Sequence, residues 1–182
     1  MKKAIFIIVF SLLLLGCEAL GFVANTRSNN PVKSDFSYYK EGFKLNEKQT
    51  VLRTDGIYLR IEYAVVNRYP EKDSIYKVRR FFDKGQMFRA DYVNTLPNLN
   101  DYQNVQRGYY NIEDNKISFE TFTRGRKEYW YAEGIIKGDT LRLTQRKGEG
   151  NKKHGYKAPK EIDEIYVFKE MSELKNSIEP NW

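Results

Sequence analysis

The feature that most constrains this chain is a series of short segments in which apolar and polar residues alternate. In the first of them, residues 56–65, Ile57, Leu59 and Ile61 stand at every second position with polar residues between them. A period of two is typical of a half-buried β-strand. The 14 tyrosines and 11 phenylalanines also favour pleated strands. We therefore predict an all-β domain.

Seven further segments of this kind follow, separated by turn residues such as Asp83-Lys84-Gly85. The eight predicted strands are residues 56–65, 74–82, 86–93, 108–112, 116–123, 127–136, 140–146 and 162–168. Short connections make neighbouring strands antiparallel. Eight strands suffice to close a small up-and-down barrel with room for one ligand, and closure removes exposed edges. We predict such a barrel, with an open sandwich as the alternative.

The amino terminus carries a second informative pattern. Lys2 and Lys3 precede an uncharged, mostly apolar run over residues 4–15, and Gly16-Cys17 closes it. A bilayer-spanning helix needs roughly 20 apolar residues, so this shorter run predicts a cleaved signal peptide. Cys17 is the only cysteine. No internal disulfide can form, and a lipid on the Cys17 sulfur would explain a single thiol in an exported chain.

The residues Leu14-Leu15-Gly16-Cys17 resemble the lipobox of bacterial lipoproteins. This resemblance implies cleavage before Cys17, a diacylglycerol on its sulfur, and acylation of the new amino terminus with a fatty acid such as palmitate. It places the protein in the cell envelope. The outer membrane is favoured because Glu18 stands where an aspartate often retains lipoproteins at the inner membrane. The membrane face is left open.

Three regions lie outside the predicted strands. Residues 35–53 mix aromatic and charged residues without a clear pattern, and residues 94–106 are a candidate lid. Met171, Leu174 and Ile178 recur at helical spacing and predict a short C-terminal helix. We divide the chain into a signal peptide (residues 1–16), a lipidated tether with an N-terminal segment (17–53) and a barrel domain (54–182).

Residues 55–169 resemble the lipocalin-like domains of bacterial envelope lipoproteins. The resemblance rests on the succession of strands and turns, most clearly in Gly56-Ile57-Tyr58, Gly108-Tyr109-Tyr110-Asn111-Ile112 and Gly138-Asp139-Thr140-Leu141. Lipocalins proper carry Gly-x-Trp in the first strand, where this chain has Gly56-Ile57-Tyr58. The resemblance implies the eight-stranded barrel fold, and many members bind small apolar ligands.

Aromatic and arginine side chains along the predicted strands are candidates for lining a cavity with polar groups for an amphipathic ligand. The alternative interpretation is that these side chains fill a small barrel. The candidate ligand-cavity residues are Tyr76, Arg80, Phe88, Tyr92, Tyr110, Trp130 and Tyr166.

A basic loop follows the seventh predicted strand. Its cations could bind phosphate on lipopolysaccharide or an acidic partner; the alternative is an ordinary solvated hairpin tip. The candidate contacts to an anionic surface are Arg146, Lys147, Lys152, Lys153 and Lys157.

Catalytic residues are sparse. His154, the only histidine, lies within the basic loop, which argues against a Ser-His-Asp arrangement or a multi-histidine metal site. Glu120 and Glu133 could face each other across neighbouring strands, but acid–base work by two carboxylates requires a defined geometry. We therefore expect no enzymatic activity, no metal and no cofactor.

The favoured function is that of a lipid-anchored, non-catalytic envelope protein that binds a small apolar or amphipathic ligand in a barrel. One alternative is an assembly subunit that contacts an envelope protein through its loops, and a weaker one is a hydrolase of envelope polymers. The net charge of +7 falls to about +5 once Lys2 and Lys3 leave with the signal peptide. That modest excess, without a recognisable motif, predicts no nucleic-acid partner.

Overall fold

Eight antiparallel strands close into one barrel, in which each strand pairs with the next and β8 pairs with β1. The strands are β1 (Gly56–Ala64), β2 (Asp73–Phe81), β3 (Gln86–Val93), β4 (Gln106–Glu113), β5 (Lys116–Thr123), β6 (Glu128–Lys137), β7 (Thr140–Glu149) and β8 (Lys160–Glu170). The predicted all-β class and up-and-down barrel are confirmed, and the open sandwich is excluded.

The computed structural model describes residues 31–46, 51–64, 73–100, 102, 105–124, 127–149, 159–174, 180 and 182. The predicted signal peptide, the lipidation site Cys17 and the loop residues Lys152, Lys153, His154 and Lys157 lie outside the described residues, so the predictions about them stay predictions. Val32–Trp182 forms one compact unit, and all the structural statements below concern that unit.

Two predictions about the ends of elements are corrected. β7 and β8 extend beyond the predicted segments, because polar residues such as Lys147 and Lys160 continue the ladder where apolar alternation has stopped. The described part of the predicted C-terminal helix is a single 3-10 turn, Ser172–Leu174, in which Leu174 is buried. Ile178 lies outside the described residues.

One apolar core occupies part of the barrel interior, and every strand contributes a residue to it. Phe81 lies near its centre, with its ring centroid 5.7 Å from that of Tyr58, 5.2 Å from that of Tyr110 and 5.9 Å from that of Phe119. Its buried members are Leu45, Leu52, Tyr58, Phe81, Met87, Tyr110, Ile117, Phe119, Ala132, Ile136, Leu141, Leu143, Tyr166 and Phe168. Leu45 and Leu52 precede β1, so the N-terminal segment closes the barrel at the end that holds the apolar core.

The outer wall is also partly covered. The segment between β3 and β4 packs Leu99 and Val105 against Val78 and Phe88 on the outer face, so the described part of the candidate lid is bound to the wall. On another part of the wall, Phe36 lies 5.1 Å from Tyr109, measured between ring centroids. Several strands are therefore buried on both faces.

Buried tyrosines predict loss of stability in alkali. Burial raises the pKa of Tyr109 and of Tyr166 to about 12, whereas in an unfolded chain both would titrate near pH 10. Between about pH 10 and pH 12 the unfolded chain binds fewer protons than the folded chain, so the free energy of unfolding falls as the pH rises. We expect a loss of about 2–3 kcal/mol from Tyr166 and a smaller loss from Tyr109, whose hydroxyl is only partly buried, measured by urea unfolding while phenolate absorbance is recorded. Stability that stays constant to pH 12, or native phenolates that form near pH 10, would contradict this prediction.

Candidate functional site

The barrel interior changes character along its axis, from the apolar core at one end to charged side chains at the other. Side chains two positions apart on a strand face the same side of a sheet. Arg60 and Glu62 therefore follow the core residue Tyr58 on the inner face of β1, while Arg79 and Lys77 precede the core residue Phe81 on β2. We call the charged end of the interior the polar chamber.

The cross-strand register extends the polar chamber around the barrel. Lys77 lies opposite Arg60 and Asp91, and Arg79 lies opposite Arg89. Among the described residues, the charged side chains of the chamber away from its rim are the cations Arg60, Lys77, Arg79, Arg89 and Arg146 and the carboxylates Glu62, Asp91 and Glu164. Lys160 and Glu128 add one charge of each sign at the rim. The chamber thus carries more positive than negative charge.

Close ion pairs connect the chamber side chains across β1 and β2. Arg60 Nη2 lies 2.7 Å from Glu62 Oε1, and Lys77 Nζ lies 2.7 Å from Glu62 Oε2. The longer pairs are Arg146 with Glu164 at 3.5 Å, Arg60 Nη1 with Glu164 at 3.8 Å and Arg79 with Asp91 at 3.8 Å. These pairs hold several of the cationic side chains in place.

Tyr166 marks the boundary between the polar chamber and the apolar core. Arg79 Nη2 donates a hydrogen bond of 2.9 Å to Tyr166 Oη, and the Tyr166 hydroxyl donates one of 2.9 Å to Glu164 Oε2. Burial favours a higher pKa for Glu164. The hydrogen bond from Tyr166 and the positive charges of Arg146, Arg79 and Lys77 outweigh burial and lower the Glu164 pKa. Glu164 therefore remains a carboxylate.

Arg89 differs from the other chamber cations. Among the described residues no carboxylate oxygen lies within 4.0 Å of its guanidinium nitrogens, and its Nε is buried without a hydrogen-bond partner. Burial lowers the pKa of Arg89 to about 10, and the facing charge of Arg79 adds to that effect. Asp91 acts in the opposite direction and favours the charged form, but among the described residues Arg89 has no close carboxylate partner of its own.

Several other polar atoms in the chamber also lack partners within the described structure. Buried polar groups are normally hydrogen-bonded to protein or to ordered water. The unpartnered atoms on the inner face are Arg60 Nη1, Arg79 Nε, Arg89 Nε, Gln106 Oε1, Thr121 Oγ1 and Thr123 Oγ1. Their convergence on one end of the interior is the arrangement expected where a polar ligand or water completes the hydrogen bonding.

Trp130 provides an apolar surface within the chamber. Its ring centroid lies 6.0 Å from the Arg89 guanidinium carbon and 5.8 Å from the Arg146 guanidinium carbon. On β6 it faces Thr121 of β5 and Gly148 of β7. A ring between two cations, beside a glycine, can contact the apolar part of a ligand whose polar part reaches the arginines.

The seven predicted cavity residues divide between the two faces of the barrel. Tyr110, Trp130 and Tyr166 face the interior, and the first of them belongs to the packed core. The other four, Tyr76, Arg80, Phe88 and Tyr92, lie on the outer face of β2 and β3. Their placement in a cavity is therefore corrected.

Arg80 shows the physical reason for this correction. It is 1 % exposed, yet it is buried against the outer wall, where Nη1 donates to the Leu99 carbonyl at 3.1 Å and Nη2 to the Leu174 carbonyl at 3.4 Å. Because covering segments bury the outer face of β2 and β3, both faces of these strands carry large side chains. Alternation alone could not tell the inside from the outside.

The chamber residues that the sequence analysis missed are mainly Lys77, Arg79, Arg89, Gln106 and Glu164. A usable signal exists in the sequence. Lys77 and Arg79 stand two positions apart, and so do Arg89 and Asp91 on the next strand. Paired charges at strand spacing on consecutive strands indicate a charged sheet face, and here that face is the interior.

The two described residues of the candidate basic surface, Arg146 and Lys147, lie on opposite faces of β7. Arg146 lies opposite Ala132 on the inner face and joins the polar chamber. Lys147 lies opposite Tyr131 and borders an outer groove of about 360 Å³ together with Tyr38 and Glu133. The two residues therefore do not form one surface.

The candidate carboxylate pair lies on the outer wall, beneath the N-terminal segment. Glu120 is fully buried and accepts a hydrogen bond of 2.6 Å from the Tyr38 backbone amide. Glu120 lies opposite Tyr131, and Glu133 lies opposite Ser118, so the two carboxylates are diagonal neighbours on one face. The contact with Tyr38 gives Glu120 a structural part in fixing the N-terminal segment.

Comparisons with family models, with curated proteins and with solved structures found no match for this chain. Within the part of the chain that the structure describes, no helix is long and apolar enough to cross a membrane. Nor do the described residues contain a group of three or more histidine, cysteine or acidic side chains that could hold a metal ion.

Proposed function

We propose that this protein is a lipid-anchored, non-catalytic protein of the cell envelope that binds a small amphipathic ligand inside its barrel. One observation carries the proposal: the polar chamber collects unpartnered polar atoms and an unpaired Arg89 at one end of an otherwise packed interior. A closed barrel of eight strands has an interior of the size that side chains fill or that one small ligand occupies.

The walls of the chamber support an amphipathic ligand. Beyond Lys77 on β2, the inner face continues to Ile75, which lies opposite Val93 on β3. Ile162 of β8 also packs against the core. A ligand whose polar group reaches Arg79 and Arg89 would therefore meet apolar side chains, Ile75 and Val93, beyond the charged pair Lys77 and Asp91.

The state of the chamber carboxylates supports a binding function over catalysis. Glu62, Asp91 and Glu164 each lie within 4 Å of a cation. A general acid needs a raised pKa, whereas the pKa of Glu164 is lowered. The cations of the chamber are better suited to holding a charge than to transferring a proton.

Binding can be tested with three chain-matched amphiphiles: dodecanoate, dodecanol and dodecylamine. The chain from Cys17 to Trp182, carrying Cys17→Ser so that no lipid is attached, is titrated while tryptophan fluorescence is recorded. We expect saturable binding of at least one amphiphile at one site, with a signal that Trp130→Phe removes and Trp182→Phe preserves. Binding of none of the three, or a signal independent of Trp130, would overturn the proposal.

The anchor is tested separately. Cells that express the full chain and grow with labelled palmitate should incorporate the label into the protein and retain it in the membrane fraction. Cys17→Ala should abolish the label and release the protein from the membrane, because no thioether can form. Serine 11 offers a matched control, since Ser11→Ala changes the signal region but leaves the thiol. Equal labelling of Cys17→Ala would contradict lipid attachment at this residue.

A second candidate function is assembly with an envelope protein, and the seam between β1 and β8 favours it. Pairing between these strands runs only from Gly56 with Glu170 to Leu59 with Val167. A groove of about 650 Å³ borders the seam, and the nearby side chains of Ile61, Ile165 and Val167 are 44 %, 51 % and 55 % exposed. Exposed apolar patches often mark interaction sites. A stoichiometric partner that Ile165→Lys fails to recover would support assembly, and recovery of no such partner by the parent chain would count against it.

A further inference from the structure

We propose that the polar chamber is a carboxylate-binding site, in which Arg79, Arg89 and Arg146 hold the acidic head group of the ligand. This inference rests on the proposed function, since it names the chemical class of the ligand that enters the barrel. The ligand would be a monoanionic amphiphile, with its carboxylate deep in the chamber and its apolar part directed toward the rim.

The balance of charged side chains in the polar chamber favours the binding of an anion. Five cations and three carboxylates line the described part of the chamber, and each carboxylate already has a cation within 4 Å. Arg89 has no such partner and lies opposite Arg79. A carboxylate placed between these two guanidinium groups would relieve their mutual repulsion and satisfy buried donors.

The available donors also fit a carboxylate. Arg79 Nε and Arg89 Nε are both buried without a hydrogen-bond partner. The Nη atoms of Arg79 already donate to the Val78 carbonyl oxygen and to Tyr166 Oη, so Arg89 is the arginine that can bind a carboxylate through two parallel N–H donors. The facing side chain of Gln106 and the hydroxyls of Thr121 and Thr123 add polar atoms without negative charge. Guanidinium groups beside neutral polar groups, in a chamber whose carboxylates already have cation partners, favour a carboxylate over an alcohol or an amine.

The position of Arg89 should make the ligand-free protein less stable. A buried cation without a counterion is destabilising, so Arg89→Gln is expected to have a thermal midpoint at or above that of the parent chain. This result would show that the variant folds, and it makes a loss of ligand binding attributable to the missing charge.

Selectivity between the chain-matched amphiphiles tests the inference. We expect dodecanoate to bind at least about tenfold more tightly than dodecanol or dodecylamine, and its affinity to weaken with added salt. Arg89→Gln should reduce dodecanoate affinity by about tenfold or more, whereas Arg89→Lys, which keeps the charge, should reduce it less. Arg142→Gln is the matched control, because Arg142 lies on the outer wall with a 59 % exposed side chain paired with Asp163. It should leave the affinity within about twofold of the parent's.

The outcomes separate the two proposals. Equal binding of the three amphiphiles, unaffected by Arg89→Gln, would overturn carboxylate recognition while leaving barrel binding in place. Dodecanoate binding that falls as much in Arg142→Gln as in Arg89→Gln would place the anion outside the chamber and also overturn the inference. Binding of none of the amphiphiles would overturn both proposals.

Discussion

Gly108→Ala is expected to lower the free energy of unfolding by more than about 3 kcal/mol and to prevent the normal closure of the barrel. A Cβ atom on residue 108 would overlap the backbone carbonyl oxygen of Glu120 and lie 2.9 Å from the Thr121 Cα. Both obstacles are backbone atoms of β5, so a side-chain movement cannot relieve them. Replacement of glycine by alanine normally reduces the entropy of the unfolded chain and so favours folding. A large loss of stability in Gly108→Ala would therefore indicate that the β4 and β5 backbones lie too close together to admit a Cβ atom.

Urea unfolding measures this loss, with Lys116→Ala as the control. Lys116 begins β5 and is exposed, so its truncation should change stability by no more than about 0.5 kcal/mol. If Gly108→Ala were as stable as the control, β4 and β5 would not approach each other as closely as the register of Gly108 with Thr121 requires.

Phe81→Ala should cost about 4 kcal/mol, since truncation of a buried phenylalanine removes apolar contacts and leaves a cavity. Phe81 is 1 % exposed and packs edge to face against the rings of Tyr58, Tyr110 and Phe119. These contacts join β1, β2, β4 and β5 across the interior. The loss is measured by denaturant unfolding.

Tyr63→Ala serves as the control for Phe81→Ala, because Tyr63 is 70 % exposed at the far end of β1. Its truncation should have little effect on stability. A loss of stability below about 1 kcal/mol in Phe81→Ala would mean that the apolar core is not packed around the Phe81 ring. The division of the interior into a filled core and a polar chamber would then be wrong.

The barrel could be predicted because local and long-range requirements agree in most of its strands. In β1 apolar and polar residues alternate clearly, which identifies the strand, although Ile57 and Leu59 belong to the outer wall and the charged residues face inward. The turn at Gly85, with φ of +84°, is the kind of position that favours glycine. Short connections then restrict the order of the strands to a meander. Eight such strands can close, so the fold follows from patterns that are visible residue by residue.

The candidate site could be predicted only in part, for two physical reasons. Covering segments bury the outer face of β2 and β3, so Phe88 outside and Phe81 inside have the same character in the sequence. In addition, a charged residue is normally assigned to the solvent, yet Arg79 is 3 % exposed inside the barrel. The position of residues 35–46, which cover the outer wall and one end, depends on tertiary contacts such as Glu120 with Tyr38. No periodicity in the sequence reports those contacts.

The division of the interior also explains why a polar site can exist in a domain of this size. The packed core supplies the buried apolar area that stabilises the barrel. On the proposal above, the polar chamber can therefore hold Arg89, which has no carboxylate within 4.0 Å among the described residues, at a cost in stability that the core offsets. Residues that reduce stability without a structural benefit are characteristic of functional sites.

The arginine side chains themselves provide the most direct test of the account. Proton–nitrogen correlation spectra of the Nε–H groups, recorded during titration with dodecanoate, report which guanidinium groups meet the carboxylate. We predict that the Arg89 and Arg79 signals shift together and saturate, while the Arg142 signal stays in place. Shifts confined to Arg142 and other outer-wall arginines, with Arg89 and Arg79 unchanged at saturation, would contradict a carboxylate site inside the barrel.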